Sequence, residues 1–133
     1  MVHDELIARA RDAMERAYAP YSGFRVGAAL LGEDGSIHTG CNVENASYGL
    51  AICAERAAIA GAVARGVTRF RCVAIATSGA APAPPCGACR QVLAEFSPQM
   101  TVVSAGETER RTWTLGELLP DPFEPAFDRT TDR

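Results

Sequence analysis

Hydrophobic residues recur along the chain with periods that predict helices and strands in turn. Over residues 4–18 they lie at helical spacing, and Pro20 ends the pattern because proline disfavours helical backbone in the residue before it. The Ala-rich residues 52–65 predict a second helix, which Gly66 closes as a C-terminal cap. Residues 86–96 predict a third helix.

Strands are predicted where apolar residues alternate or form a short continuous run. Residues 25–31 and 36–40 flank a Gly-Glu-Asp-Gly turn, which indicates an antiparallel hairpin. Residues 70–76 are almost continuously apolar, as in a strand covered on both faces, and shorter strands are predicted at 101–104 and 112–115. We therefore expect an α/β fold: a three-layer α/β/α sandwich with a mixed five-stranded sheet, antiparallel in the hairpin and mainly parallel elsewhere.

The length and composition fit one globular domain over residues 1–133. Hydrophobic residues make up 47% and charged residues 22%, a balance that excludes a disordered chain. A short helical turn is predicted at 116–119, and the Pro- and charge-rich residues from about 124 to 133 are expected to be poorly ordered. No apolar stretch approaches the roughly 20 residues of a membrane-spanning helix, so no membrane partner is expected.

The net charge and the absence of lysine each exclude some classes of function. With a formal net charge of −3, the chain does not have the overall basic character of a nucleic-acid-binding domain, so no nucleic-acid partner is expected. All 13 basic residues are arginine. The absence of lysine excludes Schiff-base enzymes and the lysine-bearing phosphate loop.

The five cysteines favour a metal or catalytic site over disulfides. An odd number cannot pair completely within the chain. The polar, acidic N-terminus does not resemble a secretory signal, so we expect a cytoplasmic, reducing location.

Three cysteines have the spacing of a zinc site. Cys86 and Cys89 are three residues apart at a predicted helix start, so both sulfurs can face one ion. Cys53 precedes another predicted helix, and helix N-termini favour the thiolate over the thiol. Three thiolates leave the fourth tetrahedral position of zinc for water, which is the pattern of a catalytic site.

The other possible ligands are expected to stay outside this site. Cys72 lies within the predicted buried strand, where a free cysteine behaves as a small hydrophobe. His3 is near the N-terminus and His38 is on the hairpin, so both are expected at the surface. Packing at a strand end is favoured over ligation for Cys41.

Glu55 follows Cys53 by two residues and is the candidate for proton transfer. A carboxylate beside a water on the metal can accept its proton and deliver it to a substrate. The alternative is a solvated acidic residue in the first helical turn, where the helix dipole favours one.

Four sequence blocks together resemble the zinc-dependent cytidine deaminases, in particular their small, homotetrameric, three-cysteine type. The first two are Cys-Ala-Glu at 53–55 and Pro-Cys-Gly-Ala-Cys at 85–89, which Arg-Gln continues. The others are Tyr-Ser-Gly-Phe-Arg-Val-Gly-Ala-Ala-Leu at 21–30 and Gly-Cys-Asn-Val-Glu-Asn-Ala-Ser-Tyr at 40–48. The resemblance implies a homotetramer with shared sites and one Zn²⁺ per subunit, held by Cys53, Cys86 and Cys89.

The resemblance also implies how a nucleoside substrate is bound. Asn42 and Glu44 would hold the ribose 3′-hydroxyl, although an Asn-rich turn is the alternative for this segment. Phe24 would pack on the pyrimidine, and Ala54 would offer its backbone N–H to the base carbonyl. Ala46 and Tyr48 would approach the 5′ end, in their own or a neighbouring subunit's site.

Two further residues complete the candidate site: Arg56, which follows from the charge of three thiolates on one divalent ion, and Phe123, which follows from the resemblance. Arg56 would draw charge from the thiolates, the alternative being a surface arginine. Phe123 matches the aromatic that stacks on a base in a partner subunit, and Phe127 is a second candidate for that role.

The implied activity is hydrolytic deamination of cytidine and 2′-deoxycytidine in pyrimidine salvage. A deaminase of a cytosine-bearing antibiotic such as blasticidin S is an alternative, which the Asn42 and Glu44 pair disfavours. The acidic charge disfavours a polynucleotide deaminase. The open metal position and Glu55 disfavour a non-enzymatic zinc-stabilised module.

Overall fold

The computed structural model describes residues 2–124, which form five strands, four α-helices and one 3₁₀ turn. In chain order they are α1 (Val2–Met14), β1 (Val26–Gly32), β2 (Ile37–Cys41), the 3₁₀ turn (Tyr48–Leu50), α2 (Ala54–Ala64), β3 (Phe70–Thr77), α3 (Gly87–Phe96), β4 (Thr101–Ala105), β5 (Arg110–Thr114) and α4 (Leu115–Leu118). Phe127 and most of the tail expected to be poorly ordered lie outside the described residues.

The strands form one mixed sheet in the order β2-β1-β3-β4-β5. The predicted hairpin is confirmed, since β1 and β2 are antiparallel, with Leu30 opposite His38. The expectation that the remaining strands are mainly parallel was wrong. Only β3 and β4 are parallel, whereas β1 is antiparallel to β3 and β5 is antiparallel to β4. The connection from β4 to β5 is too short for the crossover that a parallel pair requires.

Helices cover both faces of the sheet and confirm the three-layer arrangement. On one face, Leu6, Ile7 and Ala10 of α1 pack on a layer of small and β-branched strand residues that includes Ala74 and Val103. The other face carries α2 and α3. Its core comprises Ala28, Leu30, Ala54, Ala58, Ile59, Ala62, Val73, Ile75, Leu93 and Val102.

Two local features differ from the sequence prediction. The first helix ends at Met14 instead of residue 18, because Tyr18 pairs with the segment 42–44 that follows β2. The N–H of Tyr18 donates to Asn42 O, and its carbonyl accepts from Glu44 N. His38 was expected at the surface but is only 8% exposed, with Nε2 2.8 Å from Ser36 Oγ. His38 lies on the face of the sheet that α2 and α3 cover, together with Leu30, its cross-strand partner.

The position of α2 depends on the absence of a side chain at Gly40 in β2. A Cβ at this residue would lie 2.5 Å from Ala58 N and 2.7 Å from Ala54 O, both in the α2 backbone. Helix and strand therefore meet backbone to backbone near the start of α2.

Gly40→Ala should lower the free energy of unfolding by about 1–3 kcal/mol or more, because the added methyl meets rigid helix backbone. Urea unfolding followed by circular dichroism measures the change. Gly116→Ala is the matched control, since its nearest heavy atoms are side-chain oxygens at 3.6 and 4.0 Å. Equal stability of the two variants would contradict the tight packing of α2 on β2.

Candidate metal centre and active site

Three cysteine sulfurs converge where α2 and α3 begin. Cys53 is the N-cap residue of α2, Cys86 is the N-cap residue of α3, and Cys89 lies in the first turn of α3. Their sulfur atoms all lie within 4.8 Å of one another. The spacing argument from the sequence therefore predicted a cluster that the fold brings together.

The cluster has the dimensions and chemistry of a zinc site. Cys53 Sγ and Cys86 Sγ are 3.9 Å apart. Two sulfurs at Zn–S distances of about 2.3 Å in a tetrahedron are separated by about 3.8 Å. Soft thiolate donors at this separation suit Zn²⁺, so the three cysteines fit one Zn²⁺ per chain and leave a coordination position for another ligand.

Hydrogen bonds within the cluster stabilise negative charge on Cys53. A hydrogen bond from Cys89, with further contributions from Arg56 and Cys86, lowers the pKa of the Cys53 thiol to about 5 despite partial burial. The same contact with Cys53, together with burial, raises the pKa of Cys89. Arg56 Nη2 donates to Cys53 Sγ over 3.3 Å. A guanidinium directly beside a cysteine sulfur can compensate the charge that three thiolates would bring to a divalent ion.

Glu55 is buried beside these cysteines instead of being solvated. It is 5% exposed and lies in the first turn of α2. Burial raises the pKa of its carboxyl, and the charge on Cys53 adds to that effect, while a hydrogen bond to its own backbone and the charge of Arg56 oppose it. A carboxyl in this environment holds a proton more readily than an exposed glutamate, as a group that transfers protons requires.

One cavity of about 290 Å³ joins the metal cluster to several of the predicted binding residues. Its lining is largely apolar, which suits a planar aromatic ligand, and Glu55 and Glu44 supply its carboxylates. The lining residues are Phe24, Val26, Asn42, Glu44, Ala51, Ile52, Cys53, Ala54, Glu55, Ile75, Thr77, Ala83, Pro84 and Cys86.

Asn42 has a structural task on the rim of this cavity. Its Oδ1 accepts from Val26 N at 2.9 Å, and its Nδ2 donates to Phe24 O at 2.9 Å. These bonds fasten the loop after β2 to the start of β1 and orient the segment that carries Phe24. One amide N–H and one lone pair remain for a ligand.

Glu44 is held in place as a carboxylate. Its Oε1 accepts from the backbone N–H groups of Tyr21 and Ser22, at 2.9 and 3.2 Å, and its Oε2 accepts from the Ser22 hydroxyl. The Ser22 hydroxyl and then the two N–H groups lower the pKa of Glu44, with partial desolvation opposing them. Ser22 is a site residue that the sequence argument did not single out, although it lies within the quoted block at 21–30.

Three predicted binding residues lie outside this cavity in a single chain. Tyr48 is 83% exposed and lines a neighbouring cavity of about 340 Å³ together with Tyr21, Ser22 and Glu44. Ala46 is exposed on the same loop and is in neither lining. Phe123 is 76% exposed and also lines neither cavity.

Comparison with known proteins identifies a family. The model of the cytidine and deoxycytidylate deaminase zinc-binding region matches residues 1–105. The chain is 47% identical over 124 residues to the cytidine deaminase of Sporosarcina psychrophila, covering 90% of each chain. It is 49% identical over 120 residues to the cytidine deaminase of Halalkalibacterium halodurans, covering 89% of this chain and 91% of the relative.

Solved structures give the same result. A crystal structure of cytidine deaminase from Burkholderia pseudomallei superposes with a TM-score of 0.88 at 49% sequence identity, covering 92% of this chain and 100% of the other. The cytidine deaminase of Mycobacterium tuberculosis superposes with a TM-score of 0.80 at 42% identity, covering 92% and 97%.

Arg56→Gln should weaken zinc binding at pH 7 by about 10- to 100-fold, because outer-shell partners of a metal site typically contribute that much. Competition with a chromophoric chelator measures the affinity. Arg65→Gln is the matched control, since Arg65 is an exposed arginine at the end of the same helix and donates to Gly61 O. Unchanged affinity in Arg56→Gln would show that its contact with Cys53 contributes nothing to the metal.

Proposed function

Because the chain belongs to the cytidine and deoxycytidylate deaminase family, we propose that it hydrolyses cytidine and 2′-deoxycytidine to uridine and 2′-deoxyuridine with release of ammonia. The observation that carries the proposal is the position of Glu55. Its buried carboxyl lines the same cavity as Cys53 and Cys86, so proton transfer and metal chemistry are available at one point of a nucleoside-sized site.

Glu55 is the catalytic residue of the proposed reaction. When bound, Zn²⁺ lowers the pKa of a coordinated water to about 7 and so supplies the nucleophile at neutral pH. As in zinc deaminases generally, Glu55 takes a proton from the attacking water and delivers it to N3 of the cytosine ring. The water oxygen bonds to C4. Glu55 then transfers the second proton of that oxygen to the amino group, the C4–N bond breaks as the C4=O bond forms, and ammonia leaves.

The walls of the cavity account for binding of the base and the sugar. Phe24 provides an aromatic face for the pyrimidine, and the backbone N–H of Ala54 is assigned to the base carbonyl. Glu44 and the remaining amide N–H of Asn42 are assigned to the ribose 3′-hydroxyl. Support comes from the hydrogen bonds that keep Glu44 ionised and fix Asn42, since a preorganised pair of this kind favours a hydroxyl-bearing ligand.

The active protein is proposed to be a homotetramer whose sites are shared between subunits. Supporting this, the outer surface of one chain carries large apolar side chains that its own core does not use, among them Tyr48, Leu50, Ile52, Val63 and Phe123. Phe123 is assigned to a base in a neighbouring site, and Ala46 and Tyr48 are assigned to the 5′ end of the nucleoside. Tyr48, Leu50 and Ile52 are close together in the sequence, and clustered exposed apolar side chains are typical of an interface.

We place this activity in pyrimidine salvage in the cytoplasm. Its substrates are free nucleosides, and its metal site requires reduced thiols. The five cysteines, all within the described residues, are unpaired, in agreement with a reducing compartment. No helix in residues 2–124 is long and apolar enough to cross a membrane.

Glu55→Gln should keep the fold and one zinc per chain but lower kcat by about 10²–10⁴-fold or more, because the amide cannot transfer the proton. Ammonia release from cytidine measures turnover, and metal analysis measures zinc. Glu33→Gln, in the exposed turn between β1 and β2, is the control for loss of a carboxylate. Turnover within threefold of the unaltered enzyme would remove Glu55 from the mechanism.

Mixing the Glu55→Gln chain with a Phe123→Ala chain should restore part of the activity when subunits exchange. Some sites in the mixed oligomers then combine an intact Glu55 with a partner's Phe123. Native mass spectrometry follows exchange, and ammonia release follows activity.

Exchange without recovery would mean that Phe123 serves its own subunit or that Phe127 is the stacking residue. Repeating the mixture with Phe127→Ala separates these two outcomes.

A further inference from the structure

The α3 helix that carries Cys89 also holds the backbone of Phe123. The side chain of Gln91 makes two hydrogen bonds with this one residue: its Nε2 donates to Phe123 O at 3.0 Å, and Phe123 N donates to its Oε1 at 3.0 Å. The amide of Gln91 therefore satisfies both the N–H and the carbonyl of Phe123, as a neighbouring β-strand would. It joins two residues that are 32 positions apart in the sequence.

This double contact fixes orientation as well as position. Reversing the amide would bring donor against donor and acceptor against acceptor, so only one arrangement satisfies both groups of Phe123. With the backbone held in this way, the ring of Phe123 is directed away from the core and remains 76% exposed.

The contacts of Arg90, next to Gln91 on α3, show which part of this segment is held without Gln91. Arg90 already ties the preceding segment down, donating from Nη1 to Leu118 O at 2.9 Å and from Nε to Pro85 O at 2.7 Å. Four residues separate Leu118 from Phe123. Without Gln91, Phe123 would lie beyond both of the anchors that Arg90 provides.

We infer that Gln91 is a positioning residue, which holds Phe123 so that its ring is presented to the base of a nucleoside bound in a neighbouring subunit. The inference rests on the proposed function, since the stacking role of Phe123 belongs to it. Gln91 lies two residues beyond Cys89 on α3, so the same helix supports the metal cluster of its own chain and the aromatic residue offered to another.

Gln91→Met tests this role, because it keeps the length and helix preference of the side chain and removes both hydrogen bonds. We expect KM for cytidine to rise about 5- to 30-fold, a part of what base–aromatic stacking contributes. The kcat should stay within about twofold, because stacking on the base stabilises ground state and transition state alike. Zinc content should stay at one per chain.

A second variant and a control accompany this measurement. Gln91→Glu keeps an acceptor for Phe123 N but places a carboxylate against Phe123 O, so KM should rise in the same way. Gln99→Met, which alters an exposed glutamine after α3, should leave KM unchanged. An unchanged KM in both Gln91 variants would overturn the inference.

A double-mutant cycle shows whether Gln91 acts through Phe123. In a Phe123→Ala background, adding Gln91→Met should change KM by less than about twofold, since the ring that it positions is already absent. If Gln91→Met raised KM as much in this background as in the unaltered protein, or if zinc were lost, Gln91 would be acting through α3 and the metal cluster. Either result would overturn the inference.

Hydrogen exchange separates this inference from the proposed function. The amide of Phe123 should exchange slowly in the unaltered protein and at least about tenfold faster in Gln91→Met, because its acceptor is Gln91 Oε1. Absence of ammonia release from the unaltered, zinc-loaded protein would defeat the proposed function. Equal exchange rates would overturn the anchoring by Gln91, whatever the activity.

Discussion

The need to hold three neighbouring cysteine sulfurs as thiolates on one metal ion is the constraint on which the rest of the site depends. Sulfurs within 4.8 Å of one another repel when ionised, so each must be stabilised by its surroundings. The starts of α2 and α3 supply positive ends of helix dipoles, and Arg56 supplies a full charge at 3.3 Å from Cys53. The core must therefore direct two helix N-termini to the same place.

The sheet achieves this convergence through two different connections. The α3 helix follows β3 through the loop at 78–86, and β3 is the centre of the sheet. The α2 helix is seated by direct backbone contact with β2, where Gly40 leaves no side chain between them. The placement of Cys53 and Glu55 thus follows from packing that lies outside the active site.

Local chemistry in this chain was predictable from sequence, and long-range geometry was less so. The spacing of Cys86 and Cys89 predicts that they share a metal ion, because residues three apart lie on one face of a helix. The antiparallel pairing of β1 with β3 and the burial of His38 depend on which elements become neighbours, and the period and composition of the sequence do not encode this. The contact of Gln91 with Phe123 was not predicted for the same reason. Its partner is 32 residues away, and an amide on a helix surface carries no local signal of a distant backbone contact.

A single chain assembles its metal cluster and Glu55 completely, but it leaves the aromatic residues of the proposed binding surface exposed. Cys53, Cys86, Cys89 and Glu55 are assembled by the chain's own core, with Cys89 and Glu55 buried. The aromatic side chains of Tyr48 and Phe123, in contrast, are held at the surface by ordered backbone and have no core of their own to join. Fixing an exposed aromatic ring has an entropic cost that burial in the same chain does not offset. In the proposed homotetramer, contact with a second copy would offset this cost and would tie substrate binding to assembly.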